Sequence, residues 1–220
     1  MWSRRSASAS RSTTICSANP SPVAVSAISQ QKQLLRQTHL AARNALEDRP
    51  RRSKRIWERL MEAEFLARAE TILCYVSARS EVETHPLLVD LLVQGKRLVA
   101  PYCIDDERLG LFQLTKLAEL ESGRFGILEP RIELRESRKI SPSAIDLAIL
   151  PGAVFDLRGN RIGYGKGYFD RLLAELSPEA IRCGLGFECQ ITAEVPTEPH
   201  DRPLDLLISE DRLCRYSPTD

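Results

Sequence analysis

The chain has 220 residues, of which 43% are hydrophobic and 28% charged, with a formal net charge of +1. This composition predicts one globular domain, and the near-neutral charge argues against general attraction to nucleic acid or to an anionic membrane. No apolar run reaches the roughly 18 residues of a membrane span. Six scattered cysteines without a C-x-x-C pair predict reduced thiols in an intracellular protein.

The N-terminal segment differs in composition from the rest of the chain. Residues 1–27 are rich in Ser, Arg and Ala, and no acidic residue occurs before Glu47. This pattern is typical of an organellar transit peptide, a disordered extension or an upstream start codon. We therefore place the domain at residues 28–215, in the cytoplasm, or in the mitochondrion or plastid if the segment is a transit peptide.

Apolar residues at helical spacing predict four helices. They cover residues 28–46, a stretch from Ser53 to Phe65, residues 85–96 and residues 168–176. We expect Ser53 to cap the second helix, and Pro86 and Gly95 to lie near the two ends of the third.

Six apolar runs predict strands between these helices. They cover residues 71–77, 97–102, 109–114, 145–151, 181–187 and 204–209. Pro101 is expected to end the second strand, and residues 109–114 to form an edge strand. Central strands without polar alternation indicate a mostly parallel sheet, so we predict a single three-layer α/β/α domain. Ligands of such sheets bind beyond the carboxyl ends of the strands.

The run RIGYGKGYFD, residues 161–170, follows one of these strands and contains three alternating glycines around Lys166. Backbone amides without Cβ atoms can converge on an anion, and Lys166 and Arg161 add positive charge. The pattern is neither a Walker A loop nor a dinucleotide fingerprint. It predicts a phosphate site, and a flexible hairpin with an exposed lysine is the alternative.

Two aspartates allow a structural and a functional interpretation. Asp170 lies in the first helical turn after the glycines, where a carboxylate favours the helix dipole. Asp201 lies among prolines, where aspartate commonly stabilises a turn. Asp170 could instead bind a Mg²⁺ that accompanies ATP, but the residues alone favour the structural role for both aspartates.

Several motifs resemble the 5-formyltetrahydrofolate cyclo-ligase family, also called methenyltetrahydrofolate synthetases. The longest is LPGAVFDLRGNRIGYGKGYFDRLL, residues 150–173, which is similar to the family signature. Four further segments resemble the family in the same order along the chain. They are KQLLR (32–36), YVSARSEVET (75–84), GILEP (126–130) and GFECQITAEVPTEPHD (186–201).

The resemblance implies an ATP-dependent ligase. ATP would phosphorylate the formyl oxygen of 5-formyltetrahydrofolate, N10 would attack the formyl carbon, and phosphate would leave. The products would be 5,10-methenyltetrahydrofolate, ADP and phosphate. Phosphorylation makes a poor electrophile reactive, so the protein mainly has to position groups and neutralise charge. Expected partners are ATP, a reduced folate and Mg²⁺, bound by a monomer.

The resemblance also implies roles for individual residues. ATP would contact Lys32, Arg36, Arg161, Gly163, Tyr164, Gly165, Lys166, Gly167, Tyr168 and Phe169. The folate would contact Val76, Glu81, Tyr164, Gly165, Lys166, Gly167 and Tyr168. Lys166 and Arg161 would be catalytic, and Asp170 and Asp201 would bind the metal. Thr84 would either assist Glu81 with the folate or cap the helix at 85–96, and the cap is the expected role.

Two positions depart from the family pattern. Phe169 stands where many members carry tyrosine, and Tyr164 occupies a position that is variable or basic elsewhere. The alternative functions are a non-catalytic folate or nucleotide-binding member of the same fold, and a sugar-phosphate isomerase or acyl-transferase-like enzyme of similar architecture. A nucleic-acid binder, suggested by RPRRSKR at 49–55, disagrees with the neutral total charge.

Overall fold

The computed structural model describes residues 27–216; the predicted N-terminal extension therefore lies almost entirely outside the described residues. The described part contains five α-helices. They are α1 (Ala27–Ala45), α2 (Arg49–Met61), α3 (Glu64–Arg68), α4 (His85–Val93) and α5 (Tyr168–Ala174). Among these helices none is long and apolar enough to cross a membrane.

Twelve short strands form three sheets within the described residues. The first six are β1 (Thr71–Cys74), β2 (Arg97–Cys103), β3 (Leu109–Leu114), β4 (Leu120–Ser122), β5 (Leu128–Pro130) and β6 (Leu147–Leu150). The others are β7 (Val154–Asp156), β8 (Arg161–Ile162), β9 (Ile181–Leu185), β10 (Ile191–Thr192), β11 (Leu206–Ile208) and β12 (Leu213–Arg215).

The main sheet has the strand order β12-β11-β9-β6-β1-β2-β3. Its five central strands are mutually parallel, and the two edge strands β3 and β12 pair antiparallel. The predicted mixed α/β fold with a mostly parallel sheet is confirmed. A second sheet, β10-β7-β8, contains the hairpin that carries the glycine motif, and β4 pairs with β5.

Both faces of the main sheet are buried, as its uninterrupted apolar strands predict. Side chains of α2, α3 and α4, among them Ile56, Leu66 and Leu88, pack on one face. Leu172 and Leu173 of α5 pack on the other face together with Phe155 of the small sheet. Helix α1 lies against the small sheet through Leu35 and Leu40. The second outer layer is therefore α5 with the small sheet, rather than helices alone.

The prediction that Ser53 caps the second helix is wrong. Helix α2 begins at Arg49, with Pro50 in its first turn, a position that tolerates proline because the first amides lack helical partners. Ser53 is buried in the helix, and its hydroxyl accepts a hydrogen bond from the Glu83 amide.

Pro101 does not end its strand, contrary to the prediction. Strand β2 continues to Cys103, and Pro101 is the partner of Leu111 in β3. Pairing with β1 ends at Val99. Proline has no N–H to donate, but strand β1 does not extend far enough to pair with Pro101. No hydrogen bond to β1 is therefore lost, as is usual for prolines at strand edges.

Candidate active site

Two cavities meet at the glycine motif, beyond the carboxyl end of β6. One, of about 330 Å³, is walled mainly by apolar side chains such as Val76, Leu109 and Phe169, and is called here the apolar cavity. The other, of about 490 Å³, has walls rich in charged groups such as Lys32 and Asp201, and is called the polar cavity. Five residues border both cavities: Arg161, Gly163, Lys166, Gly167 and Asp170.

A buried aspartate shapes the hairpin that presents the motif. Asp156, fully buried at the end of β7, accepts hydrogen bonds from the amides of Arg158, Asn160 and Val195 and from the Asn160 side chain. These bonds close the turn between β7 and β8, since an aspartate bonding amides two and four residues ahead is a common turn device.

The glycine loop, residues 163–167, needs glycine at two of its positions. Gly165 and Gly167 have φ angles of 96° and 66°, in the left-handed region that glycine tolerates best. Two of the loop carbonyls are bound by arginines. Arg36 donates from Nε to the Gly163 oxygen at 2.8 Å, and Arg171 donates to the Lys166 oxygen at 2.7 Å. The loop is thus tied on both sides rather than free.

Arg161 is buried directly behind this loop. Its Nη2 donates to Asp170 Oδ1 at 2.9 Å, and its guanidinium lies 6.0 Å from the Phe169 ring centroid. Burial lowers the pKa of Arg161, and the charges of Asp170 and Asp201 oppose that shift. Its Nε finds no hydrogen-bond partner among the described residues. A buried donor without an acceptor is costly, so the position of this guanidinium has an energetic cost that its bond to Asp170 partly offsets.

Lys32 and Asp201 both border the polar cavity, where their side chains form an ion pair. The Lys32 ammonium donates to Asp201 at 2.5 Å and to Glu198 at 2.9 Å. Burial lowers the pKa of Lys32, but the bonds to the two carboxylates outweigh it and the net shift is upward. Glu198, Asp201 and His200 place ligand atoms within 4.8 Å of one another.

Lys166 is exposed at the junction of the two cavities. No hydrogen bond or ion pair engages its ammonium group within residues 27–216, in contrast to Lys32. A lysine that other charges leave free is available to a ligand that enters either cavity.

Glu81 lies in the wall of the apolar cavity. One carboxylate oxygen accepts the Tyr164 hydroxyl at 2.5 Å, and the other accepts the Ala78 amide at 2.8 Å. Burial raises the pKa of Glu81, and the two hydrogen bonds partly counteract that rise. Burial likewise raises the pKa of Tyr164, together with the nearby Glu81 charge.

Three residues predicted for the nucleotide border the apolar cavity and not the polar one: Tyr164, Tyr168 and Phe169. The Tyr168 hydroxyl donates to the Asp105 carbonyl at 2.9 Å. Val76 is buried in the same cavity wall, whereas Gly165 borders only the polar cavity.

The predicted capping role of Thr84 is wrong. Thr84 precedes α4, but its hydroxyl makes no bond to the amides of the helix. It instead donates to the Tyr75 carbonyl at 2.9 Å and accepts the Ser77 amide at 2.9 Å. The fully buried hydroxyl therefore holds the chain between β1 and Glu81 in place.

Sequence reasoning missed three residues of the site. Glu198 pairs with Lys32, Arg171 binds the glycine loop, and Arg43 lies buried beneath Tyr164, with its guanidinium 5.8 Å from the ring. Arg43 and Arg171 lie in predicted helices, and a charged helical residue is expected from the sequence to face solvent. The acidic Glu198, three residues before Asp201, was the one available signal.

The arrangement is that of an α/β protein with two adjoining cavities at one glycine loop, one suited to an anionic ligand and one to a largely apolar ligand. A model of the 5-formyltetrahydrofolate cyclo-ligase family matches residues 28–210. The mouse 5-formyltetrahydrofolate cyclo-ligase is 30% identical over 175 residues, covering 75% of this chain and 85% of the mouse protein. The mitochondrial enzyme of Arabidopsis thaliana is 26% identical, covering 87% and 78%.

A solved structure agrees. The 5,10-methenyltetrahydrofolate synthetase of Aquifex aeolicus superposes with a TM-score of 0.75 at 30% identity, covering 86% of this chain and 94% of that chain. The chain belongs to the 5-formyltetrahydrofolate cyclo-ligase family. The predicted family and enzyme class, a ligase that uses ATP as co-substrate, are confirmed.

Proposed function

We propose that this protein converts 5-formyltetrahydrofolate to 5,10-methenyltetrahydrofolate with consumption of ATP. The observation that carries the proposal is the position of Lys166, unpaired and exposed where the two cavities meet. A phosphoryl group that passes from ATP to the folate has to cross this junction. A fixed cation there stabilises the charge that develops during the transfer.

The polar cavity supports binding of the triphosphate. Lys32, Arg36 and Arg161 border it together with the backbone of Gly163, Gly165 and Gly167. Their positive charges and the loop amides would together hold the phosphate oxygens. Lys32 would exchange part of its pairing with Asp201 and Glu198 for the nucleotide.

The apolar cavity supports binding of the reduced folate. Val76, Tyr168 and Phe169 provide apolar and aromatic contact area for a pterin ring. The Glu81 carboxylate can accept the paired N–H donors that the pterin edge presents. The loop residues Gly165, Lys166 and Gly167 would face the formyl group and the arriving phosphoryl group.

These positions give a balanced reaction sequence. The formyl oxygen attacks the γ-phosphorus of ATP, ADP leaves, and the formyl carbon becomes electrophilic. N10 then bonds to that carbon and gives up its proton, and the C–O bond breaks. The oxygen departs in inorganic phosphate, which takes up the proton. The protein holds the two substrates in line and neutralises charge with Lys166 and Arg161.

Asp170 and Asp201 fit a magnesium site, because both border the polar cavity and Mg²⁺ prefers carboxylate and phosphate oxygens. The bound ion would neutralise the triphosphate. Asp201→Asn is expected to raise the Mg²⁺ concentration for half-maximal turnover several-fold. His200→Asn is the control, since imidazole is a poor magnesium ligand. Equal Mg²⁺ dependence of turnover in Asp201→Asn and wild type would show that Asp201 only stabilises a turn.

The decisive experiment follows the near-ultraviolet absorbance of the methenyl product with purified protein, 5-formyltetrahydrofolate and Mg-ATP. Growth of the absorbance that requires ATP supports the proposal. Folded protein that binds both substrates without any absorbance change would indicate a non-catalytic member of the fold.

We further propose that the protein acts as a monomer and that residues 28–215 form the catalytic domain. Light scattering of the purified protein tests the first statement, and the activity of a chain that begins at residue 28 tests the second. N-terminal sequencing of native protein distinguishes a mitochondrial or plastid location, with the leader removed, from a cytoplasmic one.

A further inference from the structure

Tyr164 lies at the boundary between the two cavities. Its chain neighbours Gly163 and Gly165 border the polar cavity, while its side chain borders the apolar cavity. A movement of the loop backbone on the polar side is therefore transmitted to the phenol on the apolar side. Gly165 lies between the Gly163 and Lys166 carbonyls that the two arginines hold, and it has no Cβ to oppose such a movement.

The Tyr164 hydroxyl is hydrogen-bonded to Glu81, the carboxylate that is proposed to receive the folate. The Tyr164 hydroxyl lies 2.5 Å from Glu81 Oε1, and the backbone amide of Ala78 already holds Oε2. Both carboxylate oxygens thus have a partner within the protein. The pterin donors would compete with Tyr164 for Oε1, because the Ala78 bond is fixed by the backbone.

Arg43 stabilises the closed position of the ring from below. It is buried, donates to Ser80 Oγ and to the Gly152 carbonyl, and lies 5.8 Å from the centre of the Tyr164 ring. A guanidinium at that distance from an aromatic face is attractive. The ring is nevertheless partly exposed, so it has free space into which to swing.

We infer that Tyr164 is a latch that closes Glu81 in the free protein and opens when a nucleotide fills the glycine loop. This inference rests on the proposed function, since it assumes that Glu81 receives the folate. Folate binding is then weakened by the closed fraction of the protein, and a nucleotide that displaces the loop removes that penalty. ATP and folate therefore bind with positive coupling.

The test compares wild type with Tyr164→Phe, which keeps the ring and removes the hydroxyl. Calorimetry measures the Kd of 5-formyltetrahydrofolate with and without a non-hydrolysable ATP analogue. Without nucleotide, the variant is expected to bind folate roughly ten- to a hundredfold more tightly, because it has lost one hydrogen bond to a charged group that the folate would have to displace. The analogue is expected to tighten folate binding to wild type by a similar factor and to change the variant little.

Tyr216→Phe is the matched control. Its hydroxyl also donates to an acceptor within the protein, the Asp156 carbonyl, but borders neither cavity. It should leave folate binding and its coupling to nucleotide as in wild type. Unchanged or weaker folate binding by Tyr164→Phe would overturn the latch. Failure of wild type to bind 5-formyltetrahydrofolate would instead reject the proposed function.

Discussion

At the scale of single residues, Lys166 carries the largest part of the proposed chemistry. Its side chain is exposed and unpaired among the described residues, so Lys166→Ala removes a charge without disturbing the core. We expect kcat to fall roughly a hundred- to a thousandfold, the usual effect of removing a transition-state charge partner. Steady-state kinetics and a thermal melt measure the two quantities. Lys116→Ala, an exposed lysine outside both cavities, is the control, and retained turnover in Lys166→Ala would contradict the assignment.

Glu81 predicts a pH dependence of folate binding. It accepts pterin donors only as a carboxylate, and burial raises its pKa above that of an ordinary glutamate. Affinity should therefore be complete at neutral pH and decline as the pH falls through this raised pKa. Folate Kd values measured from pH about 8 to about 5 check this. Glu81→Gln should bind weakly with a flat profile, and a sloping profile in that variant would assign the titration to another group.

At the scale of elements, the β7–β8 hairpin and helix α5 hold the glycine loop between them. Arg171 of α5 donates to the carbonyls of Lys166 and Glu107, so it ties the loop to the turn after β2. That turn also accepts the Tyr168 hydroxyl. Helix α5 is thus linked to this turn at two points, through Arg171 and through Tyr168.

Arg171→Met should loosen this connection. Loss of two bonds from a charged donor is expected to raise the KM for ATP about tenfold, with the free energy of unfolding nearly unchanged because Arg171 is exposed. Arg171→Lys should recover part of the loss, since an ammonium reaches one carbonyl. Arg158→Met, which removes an exposed ion pair with Glu194, is the control. Equal KM values for Arg171→Met and wild type would show that the glycine loop binds ATP without help from Arg171.

Long elements with a clear hydrophobic pattern could be predicted from the sequence, and short ones could not. Each of the four predicted helical regions has a helix at its place, although α2 starts earlier and Phe65 belongs to α3. The six predicted strands are also present. Strands β4, β5, β7, β8, β10 and β12 were missed, because two or three residues cannot display a period of two.

At the scale of the whole molecule, the site is assembled from segments far apart in the chain. Lys32 of α1 meets Asp201, 169 positions later, and Tyr164 meets Glu81, 83 positions earlier. Ligands that bridge such segments bind only the folded state. They should therefore stabilise it by mass action.

An ATP analogue with Mg²⁺, at about one hundred times its Kd, should add about 2.7 kcal/mol to the free energy of unfolding. For a domain of this size that corresponds to a rise in Tm of roughly 5–10 °C, measured by calorimetry. 5-Formyltetrahydrofolate should add a further rise. Lys32→Met should reduce the nucleotide shift and retain the folate shift. No shift with either ligand would contradict binding at these cavities.

The sequence by itself determined the fold class, the family and the glycine loop, because these depend on local patterns: apolar periodicity, glycine spacing and the order of motifs. Only the tertiary structure decided which side chains share a cavity. Folding placed Tyr164 on Glu81, Glu198 on Lys32 and Arg171 on the loop carbonyls. Those contacts depend on how a twisted parallel sheet brings distant strand ends together, and neither composition nor spacing along the chain encodes that distance.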